Sequence, residues 1–229
     1  GGPPAPSPWD GPAAELAAVG LGEEAACLYS HRFPSATPGA LAWSARSLAA
    51  WGNGPAALTC GERLWESLGV PAGLLPADLL VHLLPAELTT PCVAAARPAG
   101  LSAAWLVGII RRESRFDARA RSAAGALGVA QVVPETARRL GVDPGELWDA
   151  KRSLGLAAQE LARLSSRFSG SLLKAAAAYN AGETVVTTWQ RGLGGSPGEL
   201  VFAAAIPYRE TGAYTLSVLE GSALARHLR

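Results

Sequence analysis

One carboxylate stands where an apolar helix gives way to a run of small residues. Residues 101–131 read LSAAWLVGIIRRESRFDARARSAAGALGVAQ. Trp105, Leu106, Ile109 and Ile110 recur at helical spacing, which places them on the buried face of a helix. Glu113 follows Ile110 by three residues and Ile109 by four, so it falls on that same face. A carboxylate in such a place is either paired or partly desolvated, and desolvation raises its pKa towards the range of a useful general acid. The competing reading is a surface glutamate paired with Arg111, Arg112 or Arg115. Ser114 follows directly, able to hydrogen-bond the carboxylate or a bound ligand, or merely to cap the helix. Metal chemistry finds no such support. Cys27, Cys60 and Cys92 are widely spaced with no CxxC pair, and His31, His82 and His227 are scattered, so no zinc site is expected.

The elements that must position Glu113 are helical. The chain has 229 residues, 49% apolar and 17% charged, enough to bury a core in one large domain or two modest ones. Its 20 basic and 19 acidic residues nearly cancel, which leaves no basic footprint for nucleic acid. No apolar run approaches the roughly 18 to 20 residues of a membrane span. No strand-like alternation persists beyond a few residues, so the class is all-α. After a Pro/Gly-rich head, helices are expected at 13–30, 40–50 and 55–68, then short pieces punctuated by prolines over 71–91. ARPAG at 96–100 breaks the pattern, and the domain boundary is placed there, giving an α-helical accessory region over 1–98 and a second domain over 99–229. In that domain SAAGALG (122–128) reads as a tight loop where backbone approaches something closely. Pro134 opens a short helix. Residues 153–168 form a helix with Ser153 as N-cap and Leu154, Ala157, Ala158, Leu161 and Leu164 on one face. Ser171 caps the next helix, which Gly182 helps to end. Cys60 with Cys92 is one conceivable disulfide, and three buried thiols is the alternative.

Four blocks in order resemble the soluble lytic murein transglycosylases, with their goose-type-lysozyme-like SLT catalytic domain. They are RRESRF (111–116), SAAGALGVAQVVPETA (122–137), the helix leading into AYNAG (178–182), and IPYRETGAY (206–214). Together they span roughly half the chain. The helices before residue 98 are similar to the end of the α-helical superhelix that precedes the catalytic domain in larger members. There are departures. Val129-Ala130 stands where Leu-Met is usual, Ala204 replaces an acidic residue two before the Ile-Pro, and Gly212 replaces the Arg after Glu-Thr. These bear on substrate contacts, especially any to the peptide stem, and leave Glu113 untouched.

The resemblance implies cleavage of the β-1,4 bond between N-acetylmuramic acid and N-acetylglucosamine in peptidoglycan glycan strands, with a 1,6-anhydro product and Glu113 as acid and then base. It implies no cofactor. By the same resemblance Tyr179 and Asn180 position the glutamate and an N-acetyl group, Tyr214 lies in the groove, and Gln131 meets sugar hydroxyls or amides. Each has a plainer alternative: a core tyrosine, a helix-end asparagine, a packing tyrosine, and a glutamine bonded to the SAAGALG loop. Asp117 reads as a local cap or ion pair, and Glu183 as a residue serving the N-terminus of the next helix. Either of them across the groove from Glu113 would make a hydrolysing lysozyme credible. A third reading is a wall-binding scaffold that keeps the fold without the chemistry. Other cell-wall proteins are candidate partners of the N-terminal helical region. The location expected is periplasmic or wall-facing, which follows from the substrate and not from a targeting segment.

Overall fold

Capping chemistry sets where the helices start. The computed structural model describes residues 37–70 and 77–226, together with a few positions between 12 and 24. The helix pair or interrupted helix expected at 13–30 falls almost wholly outside the described residues, as do Cys27, His31 and His227. By contact the chain divides into two units, Gly1–Thr90 with Arg115–Asp117, and Pro91–Ser114 with Ala118–Arg229. Among the described residues there is no strand, only isolated bridges joining Arg121, Leu127 and Val132.

In the first unit, α1 (Pro38–Ala50) starts at Thr37, whose hydroxyl accepts from the Ala40 N–H. Helix α2 (Gly54–Leu68) starts at Asn53, whose side chain accepts from the Ala56 N–H at 3.0 Å, and it stops at Gly69 in the left-handed conformation. The two helices pack on each other and on α3 (Ala77–Leu83). Arg115 grips Glu62 of α2 with two nitrogens, at 2.8 and 3.2 Å.

Helix α4 (Ala86–Ala96) carries Pro91 in its interior, where the sequence had suggested a break. Proline forfeits one backbone bond there. Burial of Leu88, Cys92 and Ala96 at four-residue spacing offsets that loss and carries the helix through. Cys60 and Cys92 are both buried, and burial pushes each thiol up to about 12.

The second unit is built around α5 (Ala103–Glu113) and the last helix, named α11 (Arg209–Leu224). Leu106, Val107, Ile109 and Ile110 of α5 are buried, each such side chain contributing about 1.5–3 kcal/mol. The two helices touch backbone to backbone. A Cβ on Gly108 would lie 2.5 Å from the Val218 carbonyl oxygen, and one on Gly221 would lie 3.1 Å from the Gly108 Cα. With Gly108 against Val218 to Ser222, the antiparallel run brings the end of α5 opposite the first turns of α11. Between them in sequence come α6 (Pro134–Arg139), a 3₁₀ turn (Pro144–Trp148), α7 (Ala150–Arg167), α8 (Leu172–Ala181), α9 (Glu183–Gly192) and α10 (Glu199–Ala204). Helix α8 packs on α7, α9 and α11.

The stripe expected on α7 is the buried one: Leu154, Ala157, Ala158, Leu161 and Leu164 all face the core. Its start is corrected. The N-cap is Asp149, whose carboxylate accepts from the Arg152 N–H at 2.8 Å. Ser153 lies one turn inside, fully buried, and its hydroxyl accepts from the Ala130 N–H instead. Asp149→Ala is expected to cost about 1 kcal/mol, read as a lower urea midpoint with unchanged slope.

Candidate active site

Glu113 closes α5, at the C-terminal end where the helix dipole disfavours a negative charge. It is half-buried, and one oxygen accepts a 2.6 Å hydrogen bond from the Tyr214 hydroxyl of α11. Burial raises its pKa from the ordinary 4.5 to about 7, against the opposing pull of the Tyr214 hydrogen bond and the Arg112 charge. The Arg112 guanidinium stacks over the Tyr214 ring at 5.6 Å. Burial first, then the Glu113 charge beside them, push the phenols of Tyr214 and Tyr179 above their usual range. Both hydroxyls are therefore donors throughout the working range of the site.

The loop after α5 is shaped by backbone. Gly128 has φ +70, and a Cβ there would run into the Leu147 carbonyl oxygen. This is the close approach that SAAGALG suggested. Gln131, itself at φ +48, donates its amide to the carbonyls of Ala120 (3.0 Å) and Gly128 (2.9 Å), so it clamps the loop. Ser114 donates to the Val129 carbonyl at 2.6 Å and not to the neighbouring carboxylate. Tyr179 of α8 donates to the Ala130 carbonyl at 3.0 Å. Three side chains from three places in the sequence thus hold residues 128–130.

Gln131, Thr136, Tyr179, Asn180, Glu160 and Arg163 are among the residues lining a cleft of about 600 Å³. Asn180 is exposed, and its carbonyl oxygen accepts from the buried Thr211 hydroxyl at 2.7 Å, which leaves its amide nitrogen as a donor. Glu113 is not part of the cleft lining, but its charge is felt by Tyr179, which is. Of the six residues expected at the site, Glu113 and Tyr214 are joined directly. Ser114, Gln131 and Tyr179 meet in the loop that packs beside them, and Asn180 stands in the cleft wall.

A network of ion pairs went unread in the sequence. Glu160 accepts from Arg139 at 3.1 Å and from Arg163 at 2.9 Å, and Glu183 accepts from Arg163 at 2.7 Å and Arg167 at 2.9 Å. Hydrogen bonds from Arg163 hold both carboxyls below their ordinary range. Glu160, Arg163 and Arg167 share one side of α7, a spacing that in sequence looks like an ordinary solvated ion-pair face. Among the described residues no group of three or more His, Cys, Asp or Glu side chains converges to hold a metal ion, and no helix is long and apolar enough to cross a membrane.

Residues 91–201 match the family model of the transglycosylase SLT domain. The soluble lytic murein transglycosylase of Salmonella typhimurium is 27% identical over 177 residues, covering 74% of this chain and 26% of its own length. The structure of an inactive glutamate-to-glutamine mutant of the lytic transglycosylase Slt from Pseudomonas aeruginosa superposes with a TM-score of 0.70 at 26% identity, covering 94% of this chain and 35% of that one. The 70 kDa soluble lytic transglycosylase of Escherichia coli shares the fold at 23% identity, with a TM-score of 0.73 over 96% of this chain and 35% of its own. The present chain therefore spans about a quarter to a third of these relatives. The all-α, lysozyme-like fold expected from the sequence is the fold found. Residues 91–201, just under half of the chain, thus form a transglycosylase SLT domain.

Proposed function

We propose that this chain cleaves the β-1,4 bond between N-acetylmuramic acid and N-acetylglucosamine in peptidoglycan and releases a 1,6-anhydro-muramyl end. The observation that carries the reading is the unequal state of three carboxyls. Glu160 and Glu183, in the cleft, are each held by two arginines and stay ionised, while Glu113 is raised to about 7 and carries a proton below that pH. Groups whose environments push their pKa values apart mark the acid of a site. Two-carboxylate glycosidases need a second free carboxylate about 5 to 9.5 Å from the first. The cleft carboxylates Glu160 and Glu183 are committed to guanidinium groups, which favours a reaction that one carboxyl can complete.

Glu113 gives its proton to the glycosidic oxygen as the C1–O bond breaks. The substrate's own N-acetyl oxygen supports the cationic C1, with the Asn180 amide placed to hold that group. The Glu113 carboxylate then takes the proton of the sugar's 6-hydroxyl as its oxygen bonds to C1. Water is not consumed, and the acid is regenerated. Tyr214 orients the carboxyl through both steps, while Ser114, Gln131 and Tyr179 keep the adjoining loop in place. In this reading residues 1–98 are an accessory region ahead of the catalytic domain, and the substrate sets a periplasmic or wall-facing location. The family match and the inactive glutamate-to-glutamine mutant of the Pseudomonas relative support it.

Release of soluble muropeptides should fall as pH rises through about 7, because the acid form of Glu113 is lost there. The Tyr214 hydroxyl stabilises the carboxylate, so removing it raises that pKa further. The pH–rate profile of Tyr214→Phe is therefore expected to keep its shape with the alkaline limb moved to higher pH. A limb that stays in place, or moves to lower pH, contradicts the role given to Glu113.

A further inference from the structure

Helix α11 begins at an aromatic corner six residues before the tyrosine that holds Glu113. Tyr208 occupies the N-cap position, and it meets Trp189 of α9 edge to face, with ring centroids 5.0 Å apart and planes at 86°. In spite of this contact Tyr208 remains 54% exposed, and Trp189 is only half-buried. An aromatic pair that merely packed two helices would hide more of its area. This one fixes the orientation of its rings and leaves ring surface open to solvent.

The corner sits on two helices that also bear on the cleft. Tyr208 lies one turn before Thr211, whose hydroxyl donates to Asn180 in the cleft wall. Trp189 stands on the helix whose first residue, Glu183, lines the same cleft. From Tyr208 to Tyr214 the distance along the helix axis is about 9 Å. A strand that reaches Glu113 past Asn180 therefore continues towards this pair.

We propose that Trp189 and Tyr208 form a further glycan subsite, a platform for a sugar ring of the strand beyond the reacting bond. The inference rests on the reading of the cleft as a peptidoglycan site. A β-linked pyranose carries C–H groups on its faces and hydroxyls at its edge. The C–H groups bear partial positive charge and settle on the negative face of an aromatic ring, while the Tyr208 phenol reaches an edge hydroxyl. Because each ring already holds the other, little side-chain freedom is lost when the sugar arrives.

The test uses peptide-free glycan strands from purified peptidoglycan, sorted by length. Trp189→Ala and Tyr208→Ala are each expected to raise KM for long strands by roughly 3- to 10-fold with kcat kept. The shortest cleavable strand should be unaffected, and Tyr208→Phe, which keeps the ring but loses the phenol, should show only part of the rise on long strands. Equal losses on short and long strands would make the pair a packing element and overturn the proposal, as would no change on either. Binding of long strands is measured in parallel in the Glu113→Gln background. If the parent cleaves nothing but that protein binds long strands through Trp189 and Tyr208, the platform stands and the catalytic reading fails. If neither form binds, both fall.

Discussion

Glu113→Gln is expected to lower the turnover of purified peptidoglycan by roughly 10²- to 10⁴-fold, the usual worth of a positioned proton donor, while making the protein more stable above neutral pH. Glutamine keeps the shape and can still accept from Tyr214, but it has no transferable proton. The stability effect follows from the same burial. The folded pKa is about 7 against an ordinary 4.5, so between these values the folded chain binds more protons than the unfolded one. Stability contributed by Glu113 is then fully present below about 4.5 and is lost as pH rises through 7. The variant cannot ionise and escapes that loss. Melting curves at pH 4 should nearly coincide, and at pH 8 the variant should melt higher. Unchanged turnover, or a variant that melts lower than the parent at pH 8, would remove Glu113 from its proposed role.

The largest stability loss is expected at Gly128, far in sequence from the helices it serves. A side chain there must take φ +70, which costs about 1–2 kcal/mol. Its Cβ would also overlap the Leu147 carbonyl oxygen, with the Leu147 carbonyl carbon at 3.1 Å, and backbone cannot turn aside as a side chain can. Overpacking of this kind adds about 1–3 kcal/mol, so Gly128→Ala should lose about 2 to 5 kcal/mol in all. The natural control is Gly141→Ala, at φ +74 with nothing within 4 Å, where only the conformational cost applies. Thermal melts of the two variants separate strain from contact. Equal losses would mean that the close approach to Leu147 carries no energy. Because residues 128–130 anchor Gln131, Ser114 and Tyr179, Gly128→Ala should also reduce turnover beyond its loss of folded protein.

What the sequence disclosed was local. The face shared by Ile109, Ile110 and Glu113, the α7 stripe and the cap at Ser171 depend on spacings of three or four residues, and periodicity reports those directly. The tight backbone of SAAGALG was visible in its composition. The partner of Glu113 was not. Tyr214 lies 101 residues further on, and what joins them is the crossing of α5 and α11 at Gly108 and Gly221. In sequence a helical glycine registers only as a loss of propensity, while in the fold it permits the contact. Ser153 shows the opposite error. Serine before an apolar run is a good cap signal, but the buried Ala130 N–H needed an acceptor and Asp149 was available four residues earlier. Pro91 was read as a break because local propensity says so, and burial along the helix overrode it. The arginine–carboxylate network passed unnoticed because its spacing on α7 matches that of any solvated helix face.

The chemistry of the released ends tests the central claim most directly. Mass spectrometry of muropeptides freed from purified peptidoglycan distinguishes a 1,6-anhydro end from a reducing end by the mass of one water. The account predicts anhydro ends from the parent and none from Glu113→Gln. Reducing ends would mean that water is activated by a carboxylate taken here to be locked in ion pairs, and would contradict the single-carboxyl mechanism.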